Sequence, residues 1–168
     1  TYYNAQTNKF YYLLDETLYE VSLADMTQTA LVEGIPSAKY LVSANRKLVA
    51  YPNAAEDENV TAITIRNFET GETYEKTCAD GDLLLALGFV ENDLIYGCAH
   101  SADVIMTSDG QAILPLYELF IMGNDGGQKK DYTKDGVYIM NASVGDDTIY
   151  LTRARKQNQF FEEIEQDY

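Results

Sequence analysis

The sequence predicts an all-β protein built of repeated antiparallel sheets. Its 168 residues include fourteen Tyr and six Phe, and 46% of them are apolar, a composition that suits pleated, half-buried strands. The apolar residues recur in short alternating runs, which is the spacing of strands rather than of helices. Asp- and Gly-rich turns separate these runs at hairpin distance. A chain of this length has room for one core or for a short array of repeats.

The first predicted strands form a hairpin, Phe10–Asp15 followed by Thr17–Ser22. A group of four strands comes next, with the polar loop Pro52–Asn59 in its middle. Its strands are Lys39–Ser43, Lys47–Tyr51, Val60–Arg66 and Glu72–Thr77. The same order then returns in a third group, where the long segment Ser101–Pro115 is read as an insertion. The strands of this group are Ala86–Val90, Leu94–Ala99, Leu116–Met122 and Lys129–Thr133.

A fourth group begins at Val137 and ends close to the end of the chain. Its strands are Val137–Val144, Thr148–Ala154 and Phe160–Glu165. Helix is predicted to be nearly absent, and only Ala24–Val32 and Phe160–Tyr168 are open to a helical interpretation. The four groups thus contain three, four, four and three strands, and the first group lacks its innermost strand.

The spacing of the groups indicates an architecture. Their third strands start near Leu18, Ala62, Tyr117 and Phe160, at intervals of 44, 55 and 43 residues, close to the ~40 to 50 residues of a β-propeller blade. We therefore predict a partial β-propeller of about three and a half to four blades, with a β-sandwich as the alternative. Residues 1–168 are expected to be a single propeller-like segment of a larger protein, whose open blade edges favour self-association.

One segment resembles a known family. Residues Lys39–Thr77 look like a blade of the TolB-like and dipeptidyl-peptidase-type propellers, with the match in Lys47–Tyr51 (KLVAY) and Glu69–Glu72 (ETGE). The sequence departs from that pattern at Ser43–Arg46, where the usual Pro-Asp-Gly turn is missing. In the peptidases of this group the catalytic triad lies on a separate hydrolase domain, so the resemblance implies a propeller without catalytic residues of its own.

The later repeats have a second resemblance. The sequence motifs at Tyr117–Met122 and Asp125-Gly126 look like those of cell-surface propellers and lipoproteins of Gram-positive gut bacteria. This resemblance implies a bacterial, extracytoplasmic protein, at the cell surface or secreted.

The charge of the chain argues against two classes of partner. Twelve Lys and Arg stand against 27 Asp and Glu, which gives a formal net charge of −15. Binding to nucleic acid or to an anionic membrane surface depends on clustered cations, and only Arg153, Arg155 and Lys156 could form a local basic patch. The longest apolar stretch, Leu83–Val90, has eight residues, whereas a spanning helix needs roughly twenty.

Catalytic and zinc-binding patterns are weak. His100 is the only histidine, and no G-x-S-x-G motif is present to supply a nucleophile for it. We therefore expect His100 to have a surface or structural role. The two cysteines, Cys78 and Cys98, fit either a disulfide or two buried thiols. With His100 they offer only a Cys-x-His spacing, which is a poor zinc signature.

Three acidic loops are candidates for calcium, namely Glu56–Asn59, Asn124–Asp125 and Asp146–Asp147. None of them has the spacing of a calcium-binding loop, and acidic residues in β-turns usually form the turn itself. We predict no metal site and no cofactor. In two of the turns, Gly71 and Gly126 are expected to need a positive φ.

These observations favour a non-catalytic, extracytoplasmic binding or scaffold module with a protein or glycan partner. The alternative is an accessory propeller of a peptidase or glycan-active enzyme. In both cases this segment is not itself an enzyme.

Overall fold

The computed structural model describes residues 1–55, 59–79, 81–145, 148–158 and 160–164. Strands make up 59% of the chain and helix 2%, so the predicted all-β class is confirmed. Helix within these ranges is limited to one 3-10 turn, Ser101–Asp103. The same ranges contain no helix that is long and apolar enough to cross a membrane.

The first sheet consists of four antiparallel strands, paired in the order in which they follow along the chain. They are β1 (Tyr2–Asn4), β2 (Lys9–Leu14), β3 (Thr17–Ser22) and β4 (Thr27–Val32). The prediction that the first repeat lacks its innermost strand is therefore wrong. The three-residue β1 is held in place because the Asn4 amide donates hydrogen bonds to the carbonyls of Phe68 and Glu69 in the next repeat, at 2.9 and 3.0 Å.

Neither of the two segments left open to helix is helical where it is described, because residues 24–26 form a turn and the rest are strands. Within Ala24–Val32, residues Thr27–Val32 form β4, whose backbone pairs along β3. Residues Phe160–Ile164 form the last strand of the chain, and residues 165–168 lie outside the described ranges. In both segments, ladder hydrogen bonds to a neighbouring strand satisfy the backbone, and this tertiary pairing outweighs local helical preference.

The second sheet repeats the same up-and-down order. Its strands are β5 (Leu41–Val42), β6 (Leu48–Pro52), β7 (Ala62–Asn67) and β8 (Thr73–Thr77). Every residue of β6 is buried, because both faces of this sheet are covered. Leu48 and Ala50 face the third sheet, while Val49 and Tyr51 face the first sheet, as the two-residue period of a strand requires.

The third sheet joins the last two predicted repeats into one. Its seven strands are β9 (Leu83–Val90), β10 (Asp93–Ala99), β13 (Leu116–Met122), β14 (Gln128–Thr133), β15 (Val137–Val144), β16 (Ile149–Gln157) and β17 (Phe160–Ile164). Strand β13 pairs with β14 along most of its length, and its first residue, Leu116, pairs with Ile139 of β15. The sheet then curls until β9 meets β15, so that a Cβ on Gly88 would lie 3.4 Å from the Cβ of Val144.

The predicted insertion contains a small hairpin of its own. It consists of β11 (Ile105–Met106) and β12 (Ala112–Ile113). We call it the insertion hairpin. The hydroxyl of Thr107 accepts a hydrogen bond from the amide of Gln111 at 3.0 Å, and the amide of Thr107 donates to the Gln111 carbonyl at 2.8 Å. These bonds close the turn.

Apolar cores lie between successive sheets. Tyr11 and Leu18 of the first sheet pack with Tyr51 of the second, and Ile63 of the second sheet packs with Leu94 of the third. A third core fills the curl of the last sheet. Because the middle sheet is covered on both faces, the sheets stack as successive layers, which fits partial propeller blades better than the two facing sheets of a sandwich.

The first sheet has a second, uncovered face, which we call the outer face. Strand alternation and the strand register place these residues on it: Tyr3, Phe10, Tyr12, Leu14, Thr17, Tyr19, Val21, Gln28 and Ala30. The ring of Tyr12 stacks on that of Tyr19 with centroids 5.2 Å apart and lies 5.9 Å from that of Phe10. None of the nine residues is charged, which is unusual for a chain that carries a net charge of −15.

Candidate functional site

The main candidate site is an apolar cleft of about 390 Å³ between the second and third sheets. Three structural units form its walls: the second sheet, strand β9 and the insertion hairpin with its flanks. Aliphatic side chains from all three line it, including Leu41, Val60, Ile63, Leu84, Ala86 and Leu114. The polar side chains in the lining are Lys39 and Asn59, and none of the lining residues is aromatic or acidic.

Strand β9 supplies one wall because of its place in the sheet. It is an edge strand of the third sheet. Because its run LLLALGFV is apolar at consecutive positions, it has apolar side chains on both of its faces. Leu84 is buried against the second sheet, whereas the next residue, Leu85, points the other way and is 37% exposed. The amide of Leu84 donates to the carbonyl of Val60 at 2.8 Å, and this bond joins β9 to the segment that precedes β7 beside the cleft.

The insertion hairpin separates this cleft from a second apolar one. The second cleft has a volume of about 230 Å³ and extends to Ile139 and Ala142 of β15. Leu85, Ala112 and Leu114 line both clefts. The hairpin therefore lies over the exposed edge of β9, with apolar space on either side.

His100 belongs to a hydrogen-bonded cluster where β10 ends. Its Nδ1 lies 3.1 and 3.2 Å from the two carboxylate oxygens of Asp82, and the Tyr117 hydroxyl donates to Asp82 at 2.9 Å. The rings of His100 and Tyr117 stack with centroids 4.2 Å apart. The side chain of His100 is 49% exposed and that of Asp82 is 13% exposed. Desolvation of the phenol, followed by the bond to Asp82, raises the pKa of Tyr117 to about 12.

Three neighbouring strands position the His100 cluster. Asp82 precedes β9, His100 follows β10 and Tyr117 lies in β13, so the cluster ties three adjacent strands together at one end of the sheet. His100 and Asp82 have the arrangement of a base and its orienting acid. Asp82 hydrogen-bonds the imidazole, the Tyr117 ring stacks on it, and the Tyr117 hydroxyl donates a hydrogen bond to Asp82.

The two cysteines form a disulfide, an alternative that the sequence left open. Cys78 follows β8 and Cys98 lies in β10, with Cα atoms 5.7 Å apart. The bond fastens the connection between the second and third sheets, which carries Asp82, to β10, the strand next to the edge strand β9. Asp82 is further held by its amide, which donates to the Ala79 carbonyl at 2.9 Å.

The acidic loops proposed for calcium do not assemble a metal site in the described part of the chain. Asp125 accepts a hydrogen bond from the amide of Gly127 at 3.0 Å and so forms the β13–β14 turn, in which Gly126 has a φ of +78° as predicted. Residues 56–58 and 146–147 lie outside the described ranges. Within those ranges, no group of three or more His, Cys, Asp or Glu residues is arranged to hold a metal ion.

The three basic residues near the end of the chain do not form one cationic surface. Arg153 is buried and donates a hydrogen bond to the Tyr132 hydroxyl at 3.3 Å. Lys156 forms an ion pair with Asp103, which raises the pKa of its ammonium group. Arg155 is exposed.

Comparison with known proteins gives weak structural similarities, among them those to two peptidases. No family model matches the chain, and no curated protein matches it either. The tricorn protease is 12% identical, with a TM-score of 0.41 over 89% of this chain and 20% of that one. The Porphyromonas gingivalis dipeptidyl peptidase 4 is 8% identical, with a TM-score of 0.33 over 96% of this chain and 38% of that one.

This chain therefore spans only a fifth of the first protein and about two fifths of the second. Both proteins contain β-propeller domains. The resemblance to TolB-like repeats in particular has no family match behind it and stays a prediction.

Proposed function

We propose that this chain is a non-catalytic binding module whose apolar cleft between the second and third sheets takes an apolar segment of a protein partner. The observation that carries the proposal is the lining of the cleft. Ligand sites are concave and mainly apolar, with a few polar groups for orientation, and here Lys39 and Asn59 are the polar groups at a cleft of about 390 Å³.

The lining favours a protein over a glycan. Sugars are held by flat aromatic faces and by many hydrogen-bonding side chains, whereas aliphatic walls such as those of Leu41, Val60 and Leu114 suit Leu, Val or Ile side chains. Burial of one such side chain contributes about 1.5–3 kcal/mol. Because association itself costs about 4–15 kcal/mol in lost freedom of motion, we expect a weak and reversible complex.

Two further observations support the remaining parts of the proposal. A disulfide between Cys78 and Cys98 persists in oxidising compartments and is rare in the cytosol, which supports an extracytoplasmic location. The hydrogen-bonding of His100 to Asp82, without a nucleophile beside it among the described residues, supports a non-catalytic role.

The proposal is tested by amide NMR titration with N-acetyl-Leu-Val-Leu-amide, with N-acetyl-Ser-Gly-Ser-amide and maltotriose as comparison ligands. We expect saturable shifts only with the apolar peptide, centred on the lining residues of β9 and the second sheet. Ala112→Phe places a ring in the cleft and should weaken binding about tenfold, a change of about 1.4 kcal/mol. Ala24→Phe is the matched control, because Ala24 is also exposed but lies in the turn after β3.

Three results would contradict the proposal. Equal shifts with the serine peptide would show that the apolar side chains are not recognised. Stronger binding of maltotriose would favour a glycan partner. Equal loss of affinity in the Ala112 and Ala24 variants would place the binding site elsewhere.

A further inference from the structure

A polar cleft lies between the first and second sheets, on the opposite side of the middle sheet from the apolar cleft of about 390 Å³. Its volume is about 240 Å³. The side chains used in the argument below are Asn4, Lys9, Tyr11, Glu20, Arg66 and Glu69. The proposed function does not use this cleft.

Arg66 is placed in the cleft by the register of the second sheet. It lies opposite Val49 in the β6–β7 pair, and Val49 packs against the first sheet, so Arg66 is on the same face. The Nε atom of Arg66 is buried and has no hydrogen-bond partner among the described residues. A buried N–H group without an acceptor is unfavourable, and more so when it belongs to a cation.

The carboxylates that could pair with Arg66 already have other cations. Lys9 contacts Glu20 at 2.7 Å, and Lys47 contacts Glu69 at 2.6 Å. Three cations and two carboxylates leave the cleft and its rim with one uncompensated positive charge. This local excess stands out in a chain with a net charge of −15, and Arg66 is the residue that carries it.

The neighbouring polar groups are already engaged in contacts within or between the two sheets. The Asn4 amide donates to the carbonyls of Phe68 and Glu69. Burial, followed by a hydrogen bond and the charge of Glu20, raises the pKa of Tyr11 to about 12, and the positive charge of Arg66 opposes that rise. The Tyr11 phenol therefore stays neutral at physiological pH, and the Arg66 guanidinium remains the available donor.

We propose that Arg66 binds a carboxylate within this cleft, either that of a small organic acid or that of a peptide. A guanidinium offers Nε–H and Nη–H as two parallel donors, which match the two oxygens of a carboxylate. The cleft of about 240 Å³ corresponds to about eight water molecules at ~30 Å³ each, enough for a carboxylate with a few carbon atoms. A phosphate dianion is disfavoured, because one uncompensated cation cannot balance it beside Glu20 and Glu69.

The test follows the Arg66 Nε–H resonance by ¹⁵N NMR. Sodium acetate, sodium phosphate and sodium chloride are added separately at matched ionic strength. We expect a saturable shift with acetate, with a Kd of about 1–10 mM, and only a small linear shift with chloride. N-acetyl-Gly-Ala with a free carboxyl terminus, compared with its amidated form, then separates a peptide source from a small acid.

Three variants assign the binding to Arg66. Arg66→Gln removes the charge and the paired donors and should abolish the acetate-dependent amide shifts around the cleft. Arg66→Lys keeps the charge but removes the two parallel N–H donors, so it should weaken binding about tenfold. If the glutamine variant does not fold, the lysine variant is used to test the assignment. Arg155→Gln removes an exposed arginine on another strand and should leave the Kd unchanged.

Several results would overturn this inference. They are a strictly linear acetate response of the wild-type Arg66 resonance, binding of phosphate tighter than that of acetate, and equal effects of the Arg66 and Arg155 substitutions. Retention of full affinity by Arg66→Lys would show that the cleft recognises charge alone. Each of these outcomes is independent of the apolar cleft, so failure here would leave the proposed function standing.

Discussion

Reduction of the Cys78–Cys98 disulfide should lower the free energy of unfolding by about 3 kcal/mol. The two residues are separated by 20 positions in the sequence. For a closed loop of that length, the chain-entropy relation gives about 3.3 kcal/mol at 25 °C, because the bond restricts the unfolded chain. The native contacts add little to this difference, since two thiols remain in place and Cys98, which is 1% exposed, stays buried as a small apolar side chain.

The assay is urea unfolding followed by circular dichroism, with and without a phosphine reductant. With an m-value of about 2 kcal/mol/M, a loss of about 3.3 kcal/mol moves the unfolding midpoint down by about 1.6 M. The double variant Cys78→Ala, Cys98→Ala is the control. It should unfold near the midpoint of the reduced protein and should not respond to the reductant.

One result would refute the reasoning directly. If the oxidised and reduced proteins unfold at the same midpoint while thiol titration confirms that the bond was broken, then the loop between β8 and β10 is already restricted without the disulfide. A shift in the double variant on adding reductant would show that the reductant acts on stability by another route.

Three further perturbations test separate parts of the structure. Gly71 has a φ of +81° with open space around its Cβ position, so Gly71→Val should lower the free energy of unfolding by about 1–3 kcal/mol through backbone strain alone. Gly71→Asn should lower it by less. Chemical denaturation measures both changes. The raised pKa of Tyr117 means that its contribution to stability is complete below pH 10 and is lost as the pH rises towards about 12; Tyr117→Phe should flatten that alkaline decline in a pH series of melting curves. We propose that two copies of the chain associate weakly through the outer face, and that this association increases with salt because the repulsion between the two acidic copies is screened. Tyr12→Glu should abolish the association in sedimentation experiments. Tyr150→Glu, at an exposed tyrosine elsewhere, should not.

Local signals account for the parts of the fold that the sequence predicted. The β2–β3 hairpin is an example, because its turn residues Asp15 and Glu16 have φ angles of +47° and +59°, the left-handed pair that a two-residue hairpin turn requires. The alternation in β6 and β7 likewise depends only on neighbours in the chain. Such signals place most strands within a few residues and also place Gly71 and Gly126 in turns with positive φ.

Features that depend on distant contacts were not predictable in this way. The strand β1 is only three residues long and is stabilised by Asn4 bonding to the next repeat. The fusion of the last two repeats rests on the single pair Leu116 and Ile139. The unusual length of the Leu83–Val90 run was the one sequence signal of the apolar cleft. No sequence pattern marked Arg66 as a residue whose buried Nε has no hydrogen-bond partner among the described residues.

The two candidate sites share a physical basis in the middle sheet. This sheet is covered on both faces, and each cleft lies where one of its faces meets a neighbouring sheet. A ligand in either cleft contacts two sheets at once, so it binds the packed sheets and not the separated ones. It must therefore raise the free energy of unfolding as its concentration exceeds Kd. The disulfide acts on the same boundary as the apolar cleft, because Cys78 packs in the core shared by the second and third sheets. Reduction should therefore weaken binding in the apolar cleft and leave the Arg66 cleft, on the far side of the middle sheet, unaffected.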